Sequence, residues 1–195
     1  MRTAELERNT QETQIRLKLN LDGEGAYTIA TGIGFFDHML SHIAKHGFLD
    51  LTVQAQGDLQ VDAHHTVEDV GIVFGQALKK ALGDKVGIAR YGHAIIPMDD
   101  ALAMVALDLS GRPYVKFHAE LGKGHLGQFD LELAEEFFQA VAAQSGMNLH
   151  IRLLDGSNLH HCLEAIFKGF GRALAAAVKM DERVKGIPST KGVLE

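Results

Sequence analysis

The sequence predicts an α+β fold made by internal duplication of a strand-strand-helix-strand-helix module, with the helices packed on one face of each sheet. The pattern His-His-x-x-Glu begins at residue 64 and again at residue 160, an offset of 96 residues (160 − 64). The similarity continues downstream at the same offset, where Phe74-Gly75 matches Phe170-Gly171. Each copy also follows a helix-like run that ends in glycine and then a strand-like run. Matches that recur in the same order indicate two copies of one structural unit.

The first copy contains both strand-like and helix-like patterns of apolar residues. Residues 14–21 alternate polar and apolar side chains, which is typical of a strand with one solvent-exposed face. Asp22-Gly23 predicts a turn into a short second strand at 26–31. The remaining elements of this copy follow in order: a helix at 35–46, a strand at 49–55 and a helix at 67–81.

The second copy repeats this order. Strand-like runs at 101–109 and 114–121 flank Ser110-Gly-Arg-Pro, which predicts a hairpin-like pair. The remaining elements are a helix at 131–145, a strand at 147–153 and a helix at 163–178. Because the strands alternate, each sheet can leave one face in water and cover the other with helices.

The domain organisation follows from this repeat. We expect a first module over residues 1–93 and a second module over 94–195, which includes a polar tail from residue 185. No Pro/Ser-rich linker separates the copies, so they should pack as one pseudo-symmetric unit.

Composition narrows the class of protein. The chain has 195 residues, of which 46% are hydrophobic and 23% charged, and its single cysteine, Cys162, excludes an intramolecular disulfide. The net charge of −6 argues against nucleic-acid binding through a basic surface. No run approaches the ~20 apolar residues of a membrane helix, and the N-terminus has no signal-peptide pattern. A cytoplasmic protein is therefore expected.

The duplicated motif predicts a metal site. His64 and Glu68 are four residues apart and His65 and Glu68 three apart, so the side chains neighbour each other on a helix. Adjacent histidines point about 100° apart on a helix, which favours two neighbouring ions over one. Imidazole and carboxylate together suit Mn, Fe, Co or Zn. One copy alone also fits a solvated helix start, but the equivalent residues recur as His160, His161 and Glu164. Asp62 and Asn158 are the predicted N-caps of these helices.

The helices that precede the motifs differ between the copies. His38, His42 and His46 form one stripe at helical spacing, and we expect one functional histidine on it, as a metal ligand or a substrate contact. The alternative is a polar helix face beside the core. The matching helix of the second copy has no histidine, and Glu136 is its candidate ligand or a solvated charge.

A second set of residues favours an anionic substrate. Arginine, lysine, hydroxyl and glycine-adjacent backbone groups bind phosphate or carboxylate. The candidates are Arg90, Arg112, Lys168, Ser189 and Lys191. Each alone also fits an ordinary surface residue. Cys162, inside the second motif, is interpreted as a small buried residue rather than a nucleophile.

Together these motifs resemble the imidazoleglycerol-phosphate dehydratase family of histidine biosynthesis. The matching motifs span nearly the whole chain: Gly-Phe-Phe-Asp-His-Met-Leu (34–40), His-Gly-Phe-Leu-Asp (46–50), Asp-Ala-His-His-Thr-Val-Glu-Asp (62–69), Ser-Gly-Arg-Pro-Tyr (110–114), His-His-Cys-Leu-Glu-Ala-Ile-Phe-Lys (160–168) and Pro-Ser-Thr-Lys-Gly-Val-Leu (188–194). The resemblance implies a lyase that dehydrates D-erythro-imidazoleglycerol phosphate to imidazole acetol phosphate. It also implies a hollow 24-subunit homo-oligomer with active sites between subunits and Mn²⁺ as the cofactor, two ions per site.

The resemblance also implies roles for individual residues. The implied metal ligands are His38, His64, His65, Glu68, His160, His161 and Glu164. Glu136 stands where some relatives have a histidine, and it is kept as a further candidate ligand. The implied substrate-binding residues are Glu12, His42, Arg90, Arg112, Lys168, Ser189 and Lys191. The implied catalytic set is Glu12, as the acid/base group, together with the seven ligands shared with the family.

Two other functions fit the same ligands. A di-metal phosphohydrolase could use the same imidazole and carboxylate groups. A non-catalytic metal-binding shell would explain the histidines and the oligomer, but not the arginine, lysine and serine groups suited to phosphate. The sequence leaves open the physiological metal, the subunit that donates each ligand, and the order of C–H and C–O cleavage.

Overall fold

The computed structural model describes residues 1–194, which form two modules of similar architecture. The first module consists of β1 (Thr3–Asn9), β2 (Thr13–Asn20), β3 (Tyr27–Ala30), α1 (Gly34–Gly47), β4 (Asp50–Gly57) and α2 (His64–Leu82). The second consists of β5 (Tyr91–Met98), β6 (Ala101–Asp108), β7 (Tyr114–His118), β8 (His125–Leu126), β9 (Phe129–Asp130), α3 (Leu133–Ser145), β10 (Asn148–Asp155) and α4 (Leu159–Val178). Among these residues, no helix is long and apolar enough to span a membrane.

The two large sheets have the same topology. The strand orders are β1-β2-β4-β3 and β5-β6-β10-β7, and β8 and β9 form a separate small hairpin. In each large sheet the first two neighbouring pairs are antiparallel and the last pair is parallel. The equivalent orders agree with the predicted duplicated α+β fold.

The predicted hairpin-like pair of the second module is wrong. β6 and β7 flank Ser110-Gly-Arg-Pro as expected, but β10 lies between them and pairs parallel with β7. The corresponding strands β2 and β3 are likewise separated by β4. A turn signal shows where a strand ends but not which strand pairs with the next one. Here the parallel partner is the strand that follows the crossover helix.

The first strand of each module, β1 and β5, was not predicted. β1 has few apolar residues, with only Ala4 and Leu6 on its inward face, so its alternation is weak. β5 carries Ile95, Ile96 and Pro97 and contains the predicted module boundary between residues 93 and 94. The division into two modules stays a prediction, and a boundary before β5 would keep that strand whole.

The four helices lie between the two large sheets. α2 packs on β1 and β2, α4 packs on β5 and β6, and the helices also pair as α1 with α4 and α2 with α3. Phe137 on α3 joins the layers, since its ring lies 5.4 Å from that of Phe36, 6.4 Å from that of Phe74 and 5.6 Å from that of Phe167. The helices therefore cover one face of each sheet, as predicted.

Glycines allow both helix pairs to approach closely. A Cβ added at Gly75 on α2 would lie 2.6 Å from the carbonyl oxygen of Val141, and one at Gly171 on α4 would lie 3.0 Å from that of Ile43. Ile43 follows His38, and Val141 follows Glu136, by the same five residues. Glu136 therefore lies opposite α2 at the position that corresponds to His38 opposite α4.

Candidate active site

The first site lies where α1 meets α4, and we call it the closed cluster: His38, His42, His160, Glu164 and Lys168. One carboxylate oxygen of Glu164 lies 3.3 Å from Nε2 of His38 and 3.1 Å from Nε2 of His160. The other oxygen pairs with the Lys168 ammonium and lies 3.5 Å from Nε2 of His42. Donor atoms of His38, His160 and Glu164 all lie within 4.8 Å of one another, which is the arrangement expected of a metal site.

The electrostatics of the closed cluster favour the metal-binding protonation states. Burial by itself would raise the pKa of Glu164, but Lys168 and the neighbouring histidines outweigh it and lower that pKa to about 2. Burial lowers the pKa of His42 to about 4, and the Glu164 carboxylate opposes this only partly. At neutral pH the cluster therefore holds an ionised carboxylate and a neutral His42 imidazole. A carboxylate ligand must be ionised to bind a metal ion, and a neutral His42 adds no positive charge beside that ion.

The second site lies at the start of α2, and we call it the open cluster: His64, Glu68 and Glu136. Nε2 of His64 is 4.0 Å from a carboxylate oxygen of Glu68, and both side chains are largely exposed. Glu136, on the first turn of α3, is half-buried. Within residues 1–194 these side chains do not form a compact three-donor group like that of the closed cluster.

The second histidine of each motif lies between two carboxylates. Nδ1 of His65 is 3.0 Å from Asp58, and its Nε2 is 3.9 Å from Glu12. The Asp58 carboxylate raises the pKa of His65 through this hydrogen bond. The predicted acid/base residue Glu12 thus lies beside a predicted metal ligand.

The equivalent histidine has the same surroundings. Nδ1 of His161 is 2.7 Å from Asp100, and its Nε2 is 3.6 Å from Asp99. Asp58, Asp99 and Asp100 were not among the predicted site residues. Asp100 and His161 are 61 residues apart, so no local spacing could have linked them.

The helix starts hold the motifs in place. Asn158 is the N-cap of α4, and its side chain accepts hydrogen bonds from the backbone N–H groups of His160 and His161, as predicted. Asp62 accepts a hydrogen bond of 2.8 Å from the backbone N–H of His64, although the N-cap position itself is Ala63. Cys162 is buried and burial raises the pKa of its thiol, which agrees with a structural residue.

The predicted anion-binding residues meet in a separate cavity of ≈ 590 Å³. Its lining consists of Arg90, Tyr91, Arg112, Pro188, Ser189, Thr190 and Lys191. Arg90 forms two hydrogen bonds with Asp108, at 2.7 Å and 3.0 Å, and donates one of 2.8 Å to the Pro188 carbonyl oxygen. Arg90 therefore anchors the tail that supplies Ser189 and Lys191. Lys168 does not line this cavity and belongs to the closed cluster instead.

The cavity and the closed cluster lie at opposite ends of α4. The backbone N–H of Arg90 donates to the carbonyl oxygen of Ala177, near the last turn of the helix. His160 lies in the first turn, and the rise of an α-helix puts these ends about 25 Å apart. A small substrate bound at one end of α4 does not reach the other.

Comparisons with known proteins agree with these features. A family model described as imidazoleglycerol-phosphate dehydratase matches residues 31–174. A relative of that name from Desulfitobacterium hafniense is 60% identical over 194 residues, which covers 100% of this chain and 99% of the relative. Another relative of that name, from Burkholderia multivorans, is 57% identical over 195 residues, which covers 100% of this chain and 100% of the relative.

Solved structures agree with the fold. The crystal structure of imidazoleglycerol-phosphate dehydratase from Staphylococcus aureus superposes with a TM-score of 0.83 at 44% identity, covering 92% of this chain and 99% of that one. The Pyrococcus furiosus enzyme gives a TM-score of 0.82 at 37% identity, covering 97% of this chain and 100% of that one. Since the similarity extends over the whole chain in both sequence and fold, this chain belongs to the imidazoleglycerol-phosphate dehydratase family and is a hydro-lyase of histidine biosynthesis.

Proposed function

We propose that the enzyme carries out its dehydration at a di-manganese site built from the two His-His-x-x-Glu motifs. The observation that carries this proposal is the closed cluster, in which two imidazoles and a carboxylate meet within 4.8 Å. When bound, the ions would supply positive charge to both ring nitrogens of the substrate, which favours its imidazolate form and the loss of the adjacent hydroxyl.

The donor set fits such ions. Imidazole and carboxylate groups suit first-row transition ions, and the carboxylate of Glu164 is ionised at neutral pH because Lys168 and the histidines lower its pKa. The residues that would hold the ions are His38, His64, His65, Glu68, Glu136, His160, His161 and Glu164. The identity of the ion as manganese follows from the family resemblance and stays a prediction.

The phosphate of the substrate would bind in the cavity at the far end of α4. Arg112, Ser189 and Lys191 present hydrogen-bond donors to it, and Arg90, fixed by Asp108, completes the positive wall. Within residues 1–194 the Arg112 guanidinium has no ion-pair or hydrogen-bond partner, so it is available for an anion.

The separation of the two sites supports an active site shared between chains. A three-carbon chain joins the ring and the phosphate of the substrate, far too short for the about 25 Å between the ends of α4. One chain would therefore supply the cavity and another the closed cluster. A homo-oligomer follows from this proposal, whereas its 24-subunit size and its cytoplasmic location stay predictions.

Proton transfer in this proposal falls to Glu12. Its carboxylate lies 3.9 Å from Nε2 of His65 and is 56% exposed, so it can exchange protons with solvent and approach a ring held nearby. Its role is to take the proton from the substrate carbon next to the one that loses its hydroxyl, so that this proton and the hydroxyl leave the substrate as water.

The proposal is tested by supplying Mn²⁺ to enzyme stripped of metal with a chelator. We expect no imidazole acetol phosphate from stripped enzyme, full turnover after Mn²⁺ is added, and no release of free phosphate. Acetol phosphate absorbance and free phosphate are followed separately, while mass spectrometry of the native particle reports its size. Turnover by fully stripped enzyme would contradict the proposal. Phosphate release would indicate the phosphohydrolase, and bound Mn²⁺ with neither product would indicate a metal-binding shell.

Arg112→Ala tests the phosphate cavity. Because a hydrogen bond to a charged group contributes about 1.5–3 kcal/mol, we expect KM to rise roughly 10- to 100-fold with kcat little changed. The control is Arg152→Ala, which removes an exposed arginine of β10 outside the cavity. An unchanged KM in the Arg112→Ala enzyme would exclude this residue from substrate binding.

A further inference from the structure

We propose that Asp58 and Asp100 are positioning residues, which fix the ring orientation and tautomer of His65 and His161 so that Nε2 of each ring is free to bind metal. The inference rests on the proposed function, because it takes both histidines as ligands. It assigns a role to two carboxylates that lie outside the duplicated motif.

The contacts are the same in the two modules. Asp58 lies 3.0 Å and 3.2 Å from Nδ1 of His65 with its two oxygens, and Asp100 lies 2.7 Å from Nδ1 of His161. Nε2 of each ring faces the other way, towards Glu12 at 3.9 Å and Asp99 at 3.6 Å. These longer separations exceed normal hydrogen-bond distances, so neither carboxylate accepts a hydrogen bond that would hold a proton on Nε2.

A carboxylate on one ring nitrogen determines what the other can do. The acceptor holds the proton on Nδ1, which leaves a lone pair on Nε2 and locks the plane of the ring. Metal-binding histidines generally have such an acceptor on the second nitrogen, and its loss weakens metal binding about 10- to 100-fold. The first histidine of each motif differs, because its Nε2 faces the glutamate one turn later.

The two carboxylates reach equivalent histidines from different places in the modules. Asp58 directly follows β4, whereas Asp100 lies in the turn between β5 and β6. The contact is therefore not a simple copy of one ancestral pair, and the feature shared by the two modules is the need for an acceptor at Nδ1.

The two residues differ in what else they do. The second oxygen of Asp100 accepts hydrogen bonds from the backbone N–H groups of Ser157 and Asn158, at 2.7 Å and 2.8 Å, so it also secures the start of α4. Among residues 1–194, the side chain of Asp58 is hydrogen-bonded to His65 alone. Asp58 is therefore the better position for an experiment.

The test compares Asp58→Asn with Asp62→Asn in the full-length assembled enzyme. Both changes remove one negative charge from the same loop, but Asp62 contacts the backbone N–H of His64 and not a ring, and asparagine retains that capping contact. Mn²⁺ is titrated into metal-free enzyme and free Mn²⁺ is followed by its EPR signal. We expect Asp58→Asn to weaken Mn²⁺ binding about 10- to 100-fold and Asp62→Asn to leave it unchanged. The visible spectrum of Co²⁺-loaded enzyme should change only for Asp58→Asn.

Each outcome separates this inference from the proposed function. His65→Ala with an unchanged Mn²⁺ stoichiometry would overturn the ligand assignment itself. A loss of Mn²⁺ in His65→Ala together with wild-type affinity in Asp58→Asn would overturn only the positioning role. Equal weakening in Asp58→Asn and Asp62→Asn would also overturn it, because long-range charge would then explain both. Melting temperatures of the metal-free variants verify folding, and if Asp58→Asn does not assemble, Asp100→Asn carries the same test at His161.

Discussion

The closed and open clusters carry the same His-x-x-x-Glu sequence but have different surroundings. In the closed cluster His160 lies 3.1 Å from Glu164, whose side chain is 8% exposed. In the open cluster His64 lies 4.0 Å from Glu68, whose side chain is 45% exposed. The duplicated motif therefore specifies where the ligands lie along a helix, and the neighbouring helix decides whether they form a compact site.

The neighbouring helices explain the difference. α1 places His38 and His42 beside Glu164, and Lys168 of α4 pairs with the same carboxylate. α3 instead carries Glu136 at the position that corresponds to His38. At that register position the open cluster therefore has a carboxylate where the closed cluster has an imidazole. The closed cluster brings three candidate donors within 4.8 Å of one another in one chain. The open cluster needs donors that its own chain does not bring together among residues 1–194, which agrees with the proposed sharing of sites between chains.

The largest expected effect comes from replacing the glutamates of the two clusters. Glu164→Gln and Glu68→Gln should each lower kcat/KM at least about 100-fold, because both remove a proposed ligand. Only Glu164→Gln should also destabilise the metal-free enzyme, by about 1–3 kcal/mol, because it leaves the half-buried Lys168 ammonium without its carboxylate partner.

Steady-state kinetics and melting temperatures of metal-free enzyme at one protein concentration measure these two effects. Equal melting temperatures for the two variants would show that the difference in burial between the clusters has no energetic consequence. Wild-type kcat/KM in either variant would remove that glutamate from the ligand set.

A smaller effect is expected at Glu136. If the Glu136 carboxylate takes the place in the open cluster that His38 has in the closed cluster, Glu136→Gln should weaken binding of one Mn²⁺ per site about 10-fold. The reason is that a neutral amide is a poorer ligand than a carboxylate. The matched control is Glu135→Gln, which removes the same charge from the same helix turn, where Glu135 accepts a hydrogen bond from Gln139. Equilibrium dialysis of Mn²⁺ measures the occupancy. The same affinity in both variants would identify Glu136 as an ordinary surface charge.

The sequence predicted the parts of the site that depend on local spacing. The His-x-x-x-Glu pairs and the Asn158 cap follow from helical geometry, and Arg90, Arg112, Ser189 and Lys191 line one cavity, whereas Lys168 of the same predicted set does not. The contacts of Asp58 and Asp100 depend on which loops lie beside the helix starts, and this is fixed by strand pairing. The pairing of β7 with β10 could not be predicted, because sequence alternation shows which face of a strand is buried and not which strand is its neighbour.

The smallest expected effect concerns the glycines that set the two helix pairs. An added Cβ would lie 2.6 Å from a carbonyl oxygen at Gly75 but 3.0 Å at Gly171, so the α2–α3 pair is the tighter one. Overpacking costs about 1–3 kcal/mol, and alanine regains about 1 kcal/mol over glycine within a helix. Gly75→Ala should therefore lower the melting temperature measurably, and Gly171→Ala should lower it less. Gly34→Ala is the control, because a Cβ there would meet no atom within 4 Å. A larger loss of melting temperature for Gly171→Ala than for Gly75→Ala would contradict this prediction. It would show that α3 does not pack more closely on α2 than α1 packs on α4.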